Sequence, residues 1–91
     1  MNITKNIIEL ANAYNEKLWK QFSGLFPNSN TEIEGLPKDI TNVLCVLIGT
    51  EETKKWIKFD LELLDGNSIS ELVTTDIGTK AVKMFVLTLP C

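Results

Sequence analysis

Residues 42–64 read NVLCVLIGTEETKKWIKFDLELL and carry strong secondary-structure signals. Residues 42–48 are apolar with almost no alternation, which is typical of a strand buried on both faces. Residues 49–52 supply turn chemistry. Across residues 54–64, apolar and polar side chains alternate, as they do on a strand with one buried face. The pattern therefore predicts a β-hairpin that joins strands 42–48 and 54–64.

The segment before this hairpin, residues 1–26, predicts one long amphipathic helix. Its apolar side chains recur at spacings of three and four, which places them on one helical face: Ile3, Ile7, Leu10, Ala11, Tyr14, Leu18, Phe22 and Leu25. Asn2 or Thr4 can cap the first turn, because a short side-chain oxygen accepts from its unpaired amides. Gly24 suits a left-handed cap at the end, and Pro27 stops the helix.

The segment between helix and hairpin, residues 27–40, predicts a long loop. It contains Asn, Ser, Gly and two Pro, which favour turns over regular structure. Within it, residues 31–34 have the character of a short edge strand. Loops of this length in a small domain are often functional.

The segment after the hairpin contains one ambiguous and one clear element. Ser68 and Glu71 have capping-box spacing, which indicates a helix, whereas residues 73–75 favour a strand. We favour the strand for residues 68–77 and predict a last strand at residues 80–89. One helix followed by strands predicts a single α+β domain over residues 1–91. Its N-terminal helix packs on one face of a three- to four-stranded, mainly antiparallel sheet.

The composition excludes several kinds of catalysis. The 91 residues include nine Lys but neither Arg nor His. Many Ile, Asn and Lys without Arg are typical of the AT-rich genome of a bacterium or phage. Without His the chain forms no Ser-His-Asp triad and no Cys-His pair, and without Arg it has no bidentate phosphate clamp. We therefore predict that the protein is not an enzyme.

Ligand and compartment expectations follow from the same composition. Two Cys without His exclude zinc sites of the Cys/His kind, and isolated glycines form no phosphate loop, so we expect no metal and no cofactor. A formal net charge of −3 disfavours nucleic acid as a partner. No segment has the length of a membrane span or the pattern of a signal peptide, so we expect no membrane partner.

The two cysteines do not form a disulfide framework. We expect Cys45 and Cys91 to be free thiols in the reducing cytoplasm, with a Cys45–Cys91 bridge as the alternative.

The first candidate binding surface is the polar face of the second predicted strand. Trp56 lies there beside Lys58, Asp60 and Glu62. A Trp among charged residues on a surface is typical of an interface hot spot. The alternative is that Trp56 packs under the 27–40 loop or under the helix.

Two acidic pairs form the second kind of candidate surface. Glu32 and Glu34 lie in the long loop, and Glu51 and Glu52 lie at the predicted hairpin turn. Each pair is a candidate contact for a basic partner, and the alternative is a merely solvated charge cluster.

These observations predict a small acidic, non-catalytic protein-binding module. Its most concrete form is an inhibitor that occludes a basic site on a larger protein. Toxin-immunity and phage anti-defence proteins share this size and charge, which is an analogy and not a motif match. The alternative is a self-assembling structural subunit, a homo-oligomer, because a sheet with one helix leaves a face or edge open and the predicted strand 80–89 is apolar.

Overall fold

Helices form all the regular structure in the computed structural model, which describes residues 1–89. The six α-helices and one 3₁₀ helix are α1 (Lys5–Ala13), α2 (Glu16–Ser23), α3 (Lys38–Ile48), α4 (Thr50–Trp56), the 3₁₀ helix (Glu62–Leu64), α5 (Ile69–Leu72) and α6 (Asp76–Leu87). The β-structure in residues 1–89 is limited to an isolated bridge between Leu61 and Asn67. The predicted α+β fold with a three- to four-stranded sheet is therefore wrong.

The centre of the fold is α6. It packs along α1 and also contacts α2, α3 and α5. Its buried residues recur at helical spacing: Gly78, Ala81, Val82, Phe85 and Val86. A strand would place neighbours such as residues 81 and 82 on opposite faces, whereas the helix buries both against one core. The predicted strand at 80–89 is wrong because this burial overrides the β preference of its Val and Phe side chains.

The predicted hairpin at residues 42–64 is also wrong, because α3 and α4 occupy most of it. Gly49 separates the two helices at a φ of 89°, a conformation that favours glycine. Ile40, Val43 and Leu44 are buried on α3 at spacings of three and four, and Ile40 precedes the apolar run that suggested a strand. The alternation that follows marks no buried face, since Phe59 is 57% exposed and Leu63 is 71% exposed.

The predicted helix over residues 1–26 is divided into α1 and α2. The division occurs at Asn15, whose side chain accepts a hydrogen bond from the Leu18 amide at 3.1 Å and caps α2. Thr4 caps α1 by accepting from the Ile7 amide at 3.3 Å, and Thr4 is one of the two predicted caps. Gly24 caps α2, but with a right-handed φ of −66° instead of the predicted left-handed conformation. The division lets α2 pack on α3 and α6.

Residues 68–77 are helical at both ends, so the strand that we favoured there is wrong. Ser68 and Glu71 form a capping box at the start of α5. Thr75 then caps α6 by accepting from the Gly78 amide at 3.0 Å. Two side-chain caps within this short segment outweigh the β preference of residues 73–75.

One cluster of buried apolar side chains holds the helices together. It contains Ile7, Trp19, Leu36, Ile40, Val43, Leu44, Ile57, Leu64, Ile69, Leu72, Ala81, Val82, Phe85 and Val86. None of the helices in residues 1–89 combines the length and apolar character that crossing a membrane requires.

Candidate functional site

An open groove lies where the α2–α3 loop (residues 24–37) meets the start of α3. It has a volume of 730 Å³ and is lined by Asn28, Glu32, Ile33, Glu34, Leu36, Lys38 and Thr41. Glu32 and Glu34, one of the two predicted acidic pairs, are therefore part of a concave surface. The long loop that the sequence predicts is the segment that forms its wall.

Lys38 and Asn42 hold this loop against α3. The Lys38 ammonium donates to the carbonyls of Ser29 at 2.6 Å and Thr31 at 2.7 Å. The Asn42 amide oxygen accepts from the Ser29 amide at 2.9 Å, and its nitrogen donates to the Asn28 side chain at 3.3 Å. Lys38 and Asn42 lie one helical turn apart on the same face of α3. The loop therefore has a fixed position although it contains no regular structure.

Two carboxylates, Glu32 and Glu34, and the Lys38 ammonium line the groove, so its formal charge is negative. Burial alternates along this part of the loop, because Thr31 and Ile33 are half-buried while Glu32 and Glu34 are exposed. Neither carboxylate takes part in any of the ion pairs of the described residues. The nearby Lys38 is engaged by backbone carbonyls. The groove thus presents unpaired negative charge beside the apolar side chains of Ile33 and Leu36.

The other predicted acidic pair has a local role. Glu51 and Glu52 lie in the first turn of α4, and Glu51 makes an exposed ion pair with Lys54 at 3.7 Å. Negative charge at this end of a helix is favourable because it complements the helix dipole. This pair is outside the groove.

The strand that was predicted to align Trp56, Lys58, Asp60 and Glu62 does not form, because α4, an irregular segment and the 3₁₀ helix occupy these residues. Trp56 is the last residue of α4, is half-buried and stacks on Phe85 with ring centroids 6.0 Å apart. Its ring therefore packs against α6. Lys58 and Asp60 are exposed after α4, and Glu62 is exposed in the 3₁₀ helix.

A second polar constellation, the Lys83 cluster (Tyr14, Trp19, Asp39 and Lys83), was not predicted. The Trp19 indole donates to the Asp39 carboxylate at 2.7 Å, and the Lys83 ammonium lies 3.5 Å from the same oxygen. That ammonium also lies over the rings of Tyr14, at 5.6 Å, and Trp19, at 5.8 Å. The cluster links α2, α3 and α6 near the α1–α2 junction, and no local sequence pattern brings residues so distant in the chain together.

The segment before α1 is held by polar contacts with residues 65–71. The Asn67 side chain exchanges two hydrogen bonds with the backbone of Asn2, each 2.7 Å long, and the Thr4 hydroxyl donates to Asp65. The Met1 amino group lies 3.2 Å from the Glu71 carboxylate. This amino group, together with hydrogen bonds from Ser68, holds the pKa of Glu71 below its ordinary value. These contacts serve the fold.

Residues 1–89 contain no candidate metal site, and the thiol that they contain is a single free cysteine. Acidic and cysteine side chains of residues 1–89 do not gather in any group of three or more that could hold a metal ion. Cys45 is a half-buried free thiol on α3, and the alternative bridge to Cys91 involves a residue outside the described ones.

The chain has no significant match to any protein-family model, to any curated protein or to any solved structure. Its function is therefore inferred from the geometry and charge of the groove.

Proposed function

We propose that the chain is a small acidic, non-catalytic module that binds a larger protein in the cytoplasm and inhibits it by occluding a basic site. The observation that carries this proposal is the pair Glu32 and Glu34, which line the groove without an ionic partner in residues 1–89. Immunity and anti-defence proteins of similar size and charge act by this kind of occlusion.

Charge and apolar area have different roles in such binding. An exposed ion pair contributes only about 0.2–1 kcal/mol, so two new pairs would not hold a partner alone. Long-range attraction toward the net charge of −3 raises the rate of encounter with a basic surface. Burial of the apolar surface beside the carboxylates, which the half-buried Ile33 supplies, adds affinity that depends little on salt.

The groove replaces Trp56 as the centre of the proposed interface. Trp56 stacks on Phe85, so its ring contributes to packing within the fold. The alternative function, self-assembly, relied on an open sheet and an apolar strand at 80–89. In the described residues, 80–87 belong to α6 and no sheet forms, so this alternative has lost the observation that favoured it.

A capture experiment with two charge-matched variants tests the proposal. The wild-type chain, Glu32→Gln/Glu34→Gln and Glu51→Gln/Glu52→Gln are immobilised and exposed to lysate of the source cells at about 50 and about 500 mM salt, which changes the screening length severalfold. Both variants lose two negative charges, but only the first changes the groove. We expect one larger basic protein to be retained in stoichiometric amount at low salt by the wild type and by the 51/52 variant.

The retained protein is then purified, and its activity is measured with and without each chain. Inhibition by the wild type and the 51/52 variant, with loss of inhibition in the 32/34 variant, supports the proposal. Equal retention by both variants, or retention without any loss of partner activity, contradicts it.

A further inference from the structure

The turn at residues 61–67 contains an aspartate that is followed directly by glycine. The pair Asp65-Gly66 occurs once in the sequence, and Asn-Gly does not occur. Asp65 has a φ of 56° and Gly66 a φ of 81°, so two successive residues adopt the left-handed region. Both residues are exposed. Because glycine has no side chain, its amide nitrogen can approach the carboxyl carbon of the residue before it.

The reaction open to such a pair is aspartate isomerisation. The Gly66 amide nitrogen attacks the side-chain carbon of the Asp65 carboxyl in its acid form. A C–N bond forms, and the hydroxyl leaves with the amide proton as one molecule of water. Water then opens the five-membered imide at either carbonyl, which gives aspartate again or isoaspartate. The water that was lost is regained, so the reaction needs no other reactant and leaves the mass unchanged.

The fold keeps the nucleophile of this reaction occupied. The Gly66 amide donates to the Leu61 carbonyl at 2.9 Å, and the Leu61 amide donates to the Asn67 carbonyl at 3.1 Å. Leu61 and Asn67 form the isolated β-bridge of the described chain. The Gly66 nitrogen has to leave the Leu61 carbonyl before it can attack. The turn therefore has to open before isomerisation begins.

The segment before α1, residues 2–4, forms a strap across this turn. The Thr4 hydroxyl donates to the Asp65 carboxylate, which is the group under attack in the reaction. On the other side of the pair, the Asn67 side chain exchanges two hydrogen bonds of 2.7 Å with the Asn2 backbone. Asn67 is 3% exposed, so the strap fastens the exposed Asp65-Gly66 pair to a buried neighbour. Release of the strap removes these contacts from both sides of the pair.

We propose that Asp65 is a latent modification site, which isomerises when the strap leaves the turn. This inference is independent of the groove and of the proposed function. Isoaspartate routes the main chain through the Asp65 side chain and adds one carbon atom between residues 65 and 66. The spacing from Leu61 to Asn67 then no longer fits the hydrogen bonds that close the turn, and Asn67 loses its register with Asn2. Isomerisation thus acts as a one-way release of the strap.

Two charge-matched variants of the full chain test the role of the strap. Thr4→Asp keeps an oxygen that can cap α1, removes the donor to Asp65 and places a like charge beside it. Thr75→Asp makes the same change at the cap of α6, where the Thr75 hydroxyl bonds only to Leu72 and Gly78. Thr4→Ser keeps both the cap and the donor. If Thr4→Asp does not fold, Asn2→Pro, which removes the amide donor to Asn67, releases the strap instead.

The rate of isomerisation is measured directly. Each folded chain is incubated at neutral pH for weeks, and the wild type is also incubated unfolded in guanidinium chloride. Trypsin then cuts after Lys58 and Lys80, and the peptide 59–80 is separated into its aspartate and isoaspartate forms by reversed-phase chromatography. Backbone fragmentation in a mass spectrometer locates the isoaspartate.

We expect isoaspartate at residue 65 to form at least about tenfold more slowly in the folded wild type than in the unfolded chain, because the turn has to open first. Thr4→Asp should raise the rate in the folded chain by about two- to tenfold, the change in the opening equilibrium that one lost hydrogen bond produces. Thr4→Ser and Thr75→Asp should stay within about twofold of the wild type. In the isomerised chain, the amides of Leu61 and Gly66 should exchange with solvent faster than in the unmodified chain.

Absence of isoaspartate at residue 65 in the unfolded chain, or equal rates in the folded and unfolded wild type, overturns the latent site. An unchanged rate in Thr4→Asp overturns control by the strap. Equal acceleration by Thr4→Asp and Thr75→Asp overturns it too, because the reaction then follows the stability of the whole fold. Slow exchange that persists at Leu61 and Gly66 after isomerisation overturns the one-way release.

Discussion

Two polar regions, the Lys83 cluster and the groove, flank the first turn of α3. The adjacent residues Asp39 and Lys38 belong to one region each. Asp39 faces the Lys83 cluster, where it accepts from Trp19 and pairs with Lys83. Lys38 lines the groove, where its ammonium donates to loop carbonyls and forms no ion pair with Glu32 or Glu34. Charge in the cluster is thus used within the fold, whereas charge in the groove remains available to a partner. The two regions should therefore respond differently to substitution, the cluster in unfolding free energy and the groove in binding.

The largest expected loss of unfolding free energy is at Trp19, which belongs to the Lys83 cluster. Trp19 is 1% exposed, so Trp19→Ala should lower the free energy of unfolding by about 3–5 kcal/mol, as measured by urea denaturation. Trp56→Ala is the matched control and should have a smaller effect, because Trp56 is only half-buried. If Trp19→Ala does not fold, Trp19→Phe retains most of the ring and loses the indole donor. A greater loss from Trp56→Ala would contradict the central place of the cluster.

The next largest loss of unfolding free energy is expected at Asp39, the carboxylate of the Lys83 cluster. Asp39→Ala removes the acceptor of the Trp19 indole and the ionic partner of Lys83. We expect a loss of about 2–3 kcal/mol, because a buried donor without an acceptor is unfavourable. Asp39→Asn keeps an acceptor oxygen and should lose less. Asp60→Ala is an exposed control, and equal losses from Asp39→Ala and Asp60→Ala would remove the distinction between the regions.

A smaller loss of unfolding free energy is expected at Lys38, through which α3 holds the loop that forms the groove. Lys38→Met removes the donor to the carbonyls of Ser29 and Thr31 and should lower unfolding free energy by about 1–2 kcal/mol. Amide hydrogen exchange of residues 29–31 should accelerate as the loop loosens. Lys55→Met, an exposed substitution on α4, is the control for the lost charge. Unchanged exchange in Lys38→Met would mean that the loop keeps its position without this side chain.

Substitution of Glu71 tests whether a carboxylate that is paired within the chain, but lies outside the Lys83 cluster, also contributes to the free energy of unfolding. Its pKa is lowered by the Met1 amino group and by Ser68, so its stabilising effect is present above its unfolded-state pKa. That effect is lost as the pH falls through the lower, folded-state pKa. Glu71→Gln should therefore be less stable than wild type at pH 7, and the difference should shrink on acidification. A difference that grows toward low pH would contradict this direction.

The smallest effect on stability is expected in the groove itself. Glu32→Gln/Glu34→Gln should change unfolding free energy by no more than about 0.5 kcal/mol, as exposed substitutions without internal partners do. Glu51→Gln/Glu52→Gln is expected to lose slightly more, because it removes charge that favours the first turn of α4. A loss above 1 kcal/mol in the 32/34 variant would assign these carboxylates to the fold.

Local signals in the sequence predicted several boundaries correctly. Thr4 caps α1, and the Ser68–Glu71 spacing forms the capping box that a helix at this position requires. Each of these features depends on residues within one helical turn of each other, so chain neighbours suffice to specify it. The β-propensity of residues 73–75 nevertheless favours a strand at 68–77, and this prediction is wrong because the cap starts α5 there.

The larger errors lie in apolar runs. Residues 42–48 and 80–89 are rich in Val and Leu, and such runs match a buried strand and a buried helix about equally well. The alternation at 54–64 was coincidental, since Phe59 and Leu63 remain exposed. Of the predicted binding residues, Glu32 and Glu34 line the groove, whereas Trp56 packs on α6. No pattern in the sequence indicated that Asp39 would meet Trp19 and Lys83.

The sequence by itself determined the irregular segment at 27–37 and the caps at Thr4 and Ser68, because these depend on residue type or on immediate neighbours, whereas residues 38–40 of the predicted loop begin α3. Only the tertiary structure decided that the apolar runs are helices, because the buried face of a run depends on what packs against it. It also decided which charges are paired within the fold and which face outward. Lys38 and Asp39 are adjacent in the sequence, but a helix directs their side chains to different surroundings, one toward the loop and one toward Trp19 and Lys83.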